Sequence, residues 1–83
     1  MDQNQIREKL RGFILSEIIG NPSQEVRDDE PLITSGRMDS FSLAQVGVFI
    51  ETEFNVYIPD PELTVDTMNT INDMTAKILE KLP

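Results

Sequence analysis

Eighty-three residues without a single cysteine or histidine, carrying a formal net charge of −8, form one small domain (1–83) that buries only about 60% of its unfolded surface. The missing cysteines exclude disulfides, thiolate metal sites and thiol redox chemistry, and the missing histidines exclude a Ser-His-Asp triad. The charge is polarised: from Met38 to Ala76 there is no Lys or Arg but seven acids, a field that repels nucleic acid and anionic lipid and steers basic protein surfaces inward.

The polar start MDQNQIREK lacks the apolar core of a signal peptide, and no apolar run approaches the ~20 residues that span a bilayer. The expectation is a soluble, cytoplasmic monomer. Ile6, Leu10, Phe13, Ile14 and Ile18 follow the stripe of an amphipathic helix over about 3–19. Gly20 followed by Asn21-Pro22 ends it, an αL-capable residue and then a proline. Residues 21–38 are a long polar connection, in which Pro31-Leu32-Ile33 tucks apolar side chains beneath the loop. Loops of that length in small domains often carry function.

A second helix runs from about 40 to 54. Either Asp39 or Ser40 can start it, since both side chains accept hydrogen bonds from first-turn amides, and Ser42 with Gln45 offers a competing capping box. At about 100° per residue, Leu43, Val46, Gly47, Ile50 and Phe54 share a core-facing arc. Phe41, Ala44 and Val48 form a second apolar arc beside Ser40, while Phe49 projects from the polar side among Ser42, Gln45 and Glu53. The helix is therefore central and greasy on its outer surface. After Asn55 the chain leaves the helix, and Asp60-Pro61 reads as the N-cap and first residue of a short helix to about 67. Thr70 to Asp73 resembles another capped start, and Ile71, Met74, Ile78 and Leu82 make the core stripe of a last helix over about 70–82. Three main helices and one short one give an all-α bundle.

Motifs for autonomous chemistry are missing. The four glycines, at 12, 20, 36 and 47, are isolated and make no phosphate-binding loop. DTMNTIND from Asp66 lacks the alternating ligands and the glycine of a calcium loop, and no metal site is expected. Glu51 and Glu53, two apart on a helix, do not face each other. Without acid-base groups of suitable pKa the chain is not expected to be an enzyme.

Against this background MDSFSLAQVGVFIETEFNVYIPD (38–60) resembles the Asp-Ser-Leu motif and second helix of acyl and peptidyl carrier proteins. The likeness extends over the whole chain: an amphipathic first helix, a long loop, the serine helix, a short acidic third helix and a closing helix. The resemblance implies an acyl-carrier-like bundle in which Ser40 is a covalent attachment site for 4′-phosphopantetheine from coenzyme A, with Asp39 helping the transferase recognise it. It also implies as partners a phosphopantetheinyl transferase, an acyl- or aminoacyl-loading ligase and downstream acyl-processing enzymes. A phosphodiester on Ser40 would lie at a helix N-terminus, where the dipole favours an anion by about 0.3–1 kcal/mol. Phe41 stands where Leu is usual in the family, Ser42 and Gln45 where acids are common, and Phe49 is an unusual aromatic. These departures point from bulk fatty-acid synthesis to a dedicated discrete (type II) carrier in a specialised fatty-acid-like, polyketide or nonribosomal pathway. The competing function is an unmodified helical protein–protein interaction module.

On the carrier reading, partner enzymes dock on Asp39, Phe41, Ala44, Val48 and Glu51, with Asp60 nearby. Gly47 asks for a reason, because glycine in a helix interior costs about 1 kcal/mol relative to alanine. Either a neighbouring helix approaches it closely, or a small void between helices admits part of an attached chain.

Overall fold

The computed structural model describes residues 1–82. Four α-helices, a π-helical segment and a 3₁₀ turn, with no strands, make up their regular structure, the all-helical bundle that the periodicity predicts. Helix α1 (Gln3–Phe13) is opened by a reciprocal capping box in which Asp2 accepts from the Gln5 amide at 2.9 Å and the Gln5 side chain accepts from the Asp2 amide at 3.0 Å. Its continuation, Ile14–Ile19, widens into a π-helix that closes at Gly20 with φ 78°. The amides of Gly20 and Asn21 both return to the Leu15 carbonyl. The wider turn rotates the last side chains away from the 3.6-residue stripe. Ile6, Leu10 and Ile14 are fully buried, but Phe13 and Ile18, placed on the same stripe by periodicity, are only half-buried.

The connection 21–39 has no helix yet is firmly held. Val26, Leu32 and Met38 enter the core. The Arg11 guanidinium donates to the Val26 carbonyl at 2.9 Å and pairs with Glu8 and Asp28. Asn69, between the third and fourth helices, is the loop's second anchor. Its carbonyl accepts from Leu32 N at 2.8 Å, and its side-chain oxygen accepts from Ile33 N and Thr34 N at 2.9 and 3.2 Å. The Met38 amide then closes back on Leu32 O. Backbone groups of a loop over the core must be satisfied this way or cost desolvation energy, and the result is a fixed approach to the next helix.

Helix α2 (Ser40–Phe54) buries Leu43, Val46, Ile50 and Phe54 and ends at Asn55, in the left-handed region with φ 57°. Val56 and Ile58 follow into the core. The short third helix differs from expectation. Instead of one helix from Asp60 to about 67, a 3₁₀ turn covers Asp60–Glu62 with Pro59, not Asp60, at its N-cap, and the Asp60 side chain caps nothing. The turn cannot propagate, because Leu63 leaves helical geometry at φ −87°, ψ 75°. Thr64 restarts the chain in an extended conformation as N-cap of helix α3 (Val65–Met68). Helix α4 (Ile71–Lys81) starts as predicted, with the Thr70 hydroxyl accepting from Asp73 N at 2.9 Å. It buries Ile71, Met74, Thr75 and Ile78. Thr75 is satisfied by donating to Ile71 O at 2.8 Å, and Leu82 stays half-buried. Glu62 ties the 3₁₀ turn to α4, reaching Lys77 at 2.6 Å and Lys81 at 3.2 Å.

Candidate functional site

The site lies at the start of α2, where the chain emerges from the anchored loop. Of the two residues able to cap this helix, Asp39 does so. Its backbone is extended and its carboxylate accepts from the Ser42 amide at 2.8 Å. That amide, then the Ser42 hydroxyl, hold the Asp39 carboxyl below its ordinary range, so it stays ionised well into acid. The competing Ser42–Gln45 box is not used. Ser40 is thus the first residue of the helix, exposed to solvent, and its hydroxyl has no capping task. A short side chain at this position presents its oxygen beside the positive end of a 15-residue helix, a setting that suits attachment of an anionic group.

Two depressions flank Ser40, and Ala44 lines both. The smaller, about 260 Å³, lies between α2 and the 3₁₀ turn and is bounded by Ser40, Leu43, Ala44, Asp60 and Leu63. Asp60, remote in sequence, is thus brought beside Ser40. Leu63 forms the floor and explains Gly47. A Cβ on Gly47 would lie 3.3 Å from Leu63 Cδ1 and 3.6 Å from Cδ2. The glycine therefore accommodates a close approach rather than a void, but the approaching group is the Leu63 side chain just past the 3₁₀ turn and not the neighbouring helix that the sequence suggests.

The larger depression, about 500 Å³, runs along the other flank of α2 and is lined mainly by Phe13, Phe41, Ala44, Val48 and Phe49. Phe41 and Val48 are 73% and 64% exposed, so the second apolar arc faces water as its spacing predicts. Phe49 does not. It is half-buried rather than projecting from the polar side, because α1 passes close enough for its ring to stack on Phe13 (centroids 4.3 Å apart, planes at 16°) and to meet Phe54 edge-on at 6.0 Å. An angular projection of α2 alone carries no information about that neighbour. Glu51, on the same side as Ser40, is exposed. Among the described residues no group of acids assembles into a metal site, and no helix is long and apolar enough to cross a membrane.

This arrangement, a serine leading the second helix of a four-helix chain behind a capping aspartate, is the setting of a carrier domain. The family model described as "Phosphopantetheine attachment site" matches residues 8–78, and the chain belongs to that family, as the resemblance at 38–60 anticipated. Two D-alanyl carrier proteins are among its relatives. That of Leuconostoc citreum (strain KM20) is 35% identical over 65 residues, covering 78% of this chain and 82% of the relative. That of Leuconostoc mesenteroides subsp. mesenteroides is 32% identical over 65 residues, with the same coverage. Members of the family are carriers rather than enzymes, their prosthetic group is 4′-phosphopantetheine, and they work with a phosphopantetheinyl transferase and ligases. The residues present fit that group: an exposed serine hydroxyl, unused in capping, at a helix N-terminus beside an ionised aspartate.

Proposed function

We propose that Ser40 carries the 4′-phosphopantetheine and that the chain is an aminoacyl carrier. The observation that carries this reading is the division of labour between Asp39, which caps α2, and Ser40, which is left free. On modification the Ser40 Oγ–phosphorus bond forms as the pyrophosphate bond of coenzyme A breaks. 3′,5′-ADP leaves, and the hydroxyl proton passes to the transferase, since this chain has no histidine to take it. When bound, the group supplies the thiol that the chain lacks, on which a carboxylic acid is held as a thioester. The chain's own part is presentation: Asn69 and Arg11 fix the loop, Asp39 fixes the helix start, and Asp39, Phe41, Ala44, Val48, Glu51 and Asp60 form the surface that partner enzymes contact.

Among the cargoes the sequence leaves open, an amino acid is favoured by the two relatives named for D-alanine. Leu63 fills the notch at Gly47, so that position offers no void for a long acyl chain, which agrees with a short cargo. The test is loading: the phosphopantetheinylated protein, an amino-acid-activating ligase, ATP and D-alanine should give a mass gain of one aminoacyl group that neutral hydroxylamine removes. Loading by fatty acyl donors with no loading by any amino acid would reject the aminoacyl cargo while leaving the attachment at Ser40 intact.

A further inference from the structure

Two depressions open beside Ser40, and only one of them is long enough for the group that Ser40 is proposed to carry. On α2 the smaller one spans Ser40 to Ala44, one turn or about 6 Å. It extends no further along the helix, because Leu63 closes over Gly47. The larger one runs along α2 from Phe41 to Thr52, about 16 Å at 1.5 Å per residue. Phe13, Phe41, Ala44, Val48 and Phe49 make its lining almost wholly apolar, and the Phe13–Phe49 stack fixes its α1 side. Gln45 and Thr52 are its polar members. Phe41 and Val48 are exposed, and large apolar side chains left uncovered in a contiguous patch call for an occupant.

We infer that the α1–α2 groove is the seat of this chain's own phosphopantetheine arm, an inference that rests on the arm being attached at Ser40. The reach agrees. From the serine oxygen to the thiol sulfur the arm has about fourteen bonds, about 16 Å at the spacing of a stretched chain. Val48 lies about 12 Å along the axis from Ser40 and about 80° around it, a path of about 14 Å over the helix surface. Ala44, at about 40°, is on that path and lines both depressions, and its single methyl lets the arm cross. The chemistry agrees as well. The two methyl groups of the pantoyl unit follow the phosphate closely, within reach of Phe41 and Ala44, and the later methylenes extend to Val48. The groove is an open trough, so the arm's hydroxyl and amides keep their hydration while its methyls cover apolar surface. Little affinity is needed, since attachment gives the arm an effective concentration on the order of millimolar. An aminoacyl group on the thiol would continue toward Thr52, the polar end of the groove. An enzyme that contacts Phe41 and Val48 then has to lift the arm away, which exposes the thiol only on a docked carrier.

The test is NMR of the full ¹³C,¹⁵N-labelled chain carrying an unlabelled arm, after intact mass has shown one phosphopantetheine per chain. Isotope-filtered nuclear Overhauser contacts are expected from the arm's two methyls to Phe41 and Ala44, and from its terminal methylenes to Val48. Relative to the unmodified chain, the methyl signals of Ala44 and Val48 and the ring signals of Phe41 and Phe49 should shift. Phe41→Ser and Val48→Ser, both at exposed positions and checked for folding by circular dichroism, should each weaken the remaining contacts. Each should also speed reaction of the thiol with the neutral probe 4,4′-dithiodipyridine at least about twofold, because the unseated fraction sets the rate. Asp60→Asn, in the smaller depression, should change neither readout. The inference is overturned by contacts confined to Leu43, Asp60 and Leu63, by an arm with no contact to Val48, or by a thiol rate unchanged in both serine variants. A chain that gains no arm mass overturns the attachment at Ser40 and this inference together, whereas a modified chain whose arm stays free overturns this inference alone.

Discussion

Gly47 is where the packing of α2 can be tested most sharply, because two opposed quantities meet there. Replacing it with alanine removes a helix-interior glycine, a gain of about 1 kcal/mol. The new methyl would lie 3.3 Å from Leu63 Cδ1, closer than the 3.5–4.0 Å optimum for carbon pairs. The contacting atom is the end of a flexible, half-buried side chain at the edge of the 3₁₀ turn, so a movement of a few tenths of an ångström relieves it at a cost of about 0.5 kcal/mol. Gly47→Ala should therefore stabilise the unmodified protein by about 0.5 kcal/mol. Gly47→Leu has to displace Leu63 altogether, and overpacking of about 1–3 kcal/mol outweighs the helix gain. Combining it with Leu63→Ala should recover most of the loss, a coupling that a double-mutant cycle measures. Urea denaturation of the five proteins (parent, Gly47→Ala, Gly47→Leu, Leu63→Ala and the double variant), with m-values compared, is the assay. Additive effects of Gly47→Leu and Leu63→Ala would refute the claim that Leu63 is what Gly47 accommodates, and a loss of about 1 kcal/mol or more for Gly47→Ala would refute the claim that Leu63 yields easily.

Phe41→Ala should leave the melting temperature nearly unchanged, since the ring is 73% exposed, while slowing aminoacyl loading by the cognate ligase at least tenfold; a large fall in melting temperature with normal loading would place the ring in the core instead. Asn69→Ala removes the acceptor for the Ile33 and Thr34 amides and should destabilise by about 1–3 kcal/mol, with the fastest hydrogen exchange appearing in residues 32–38. Glu62 is held below its ordinary range, first by its hydrogen bond to Lys77 and then by that to Lys81, and Lys77 is raised in return by Glu62. The stabilisation from Glu62 is present above its ordinary value of 4.5 and lost as pH falls through the lower folded value. That from Lys77 is present below 10.5 and lost as pH rises through the higher folded value. Glu62→Gln should flatten both limbs of the curve of melting temperature against pH, and because the groups are only half-buried the difference should shrink in high salt.

Much of this fold is written in periodicity. The spacing of Ile6, Leu10 and Ile14, of Leu43, Val46, Ile50 and Phe54, and of Ile71, Met74 and Ile78 identifies three helices and their buried faces correctly. Capping chemistry at Asp39 and Thr70 fixes where two of them begin. What a one-helix pattern leaves out are contacts between segments distant in the chain. Phe49 belongs to a stack because Phe13 arrives from another helix. Val26 and Met38 are buried because Arg11 and Asn69 draw the loop onto the core, and nothing local marks Asn69 as an anchor. The π-helical turn at Ile14–Ile19 has no sequence signature that distinguishes it from α-helix. At Asp60-Pro61 the local signal is real, but Leu63 turns out of helical geometry and splits one expected helix into a turn and a separate α3. The serine was legible for a different reason. Its place before an apolar run marked it as a helix-start residue, the attachment role is what the carrier resemblance implies, and the cap taken by Asp39 leaves the hydroxyl free, which supports that proposal.

The most direct measurement is the intact mass of the protein after incubation with coenzyme A and a phosphopantetheinyl transferase of broad specificity, made in parallel on the Ser40→Ala variant. The account predicts a gain of one phosphopantetheine on the parent chain, mapped to Ser40 by peptide fragmentation. It predicts none on the variant, which should fold with an unchanged helical spectrum because Asp39, not Ser40, caps α2. A variant that still acquires the group, or a parent that acquires it at any other serine or from no competent transferase, would contradict it.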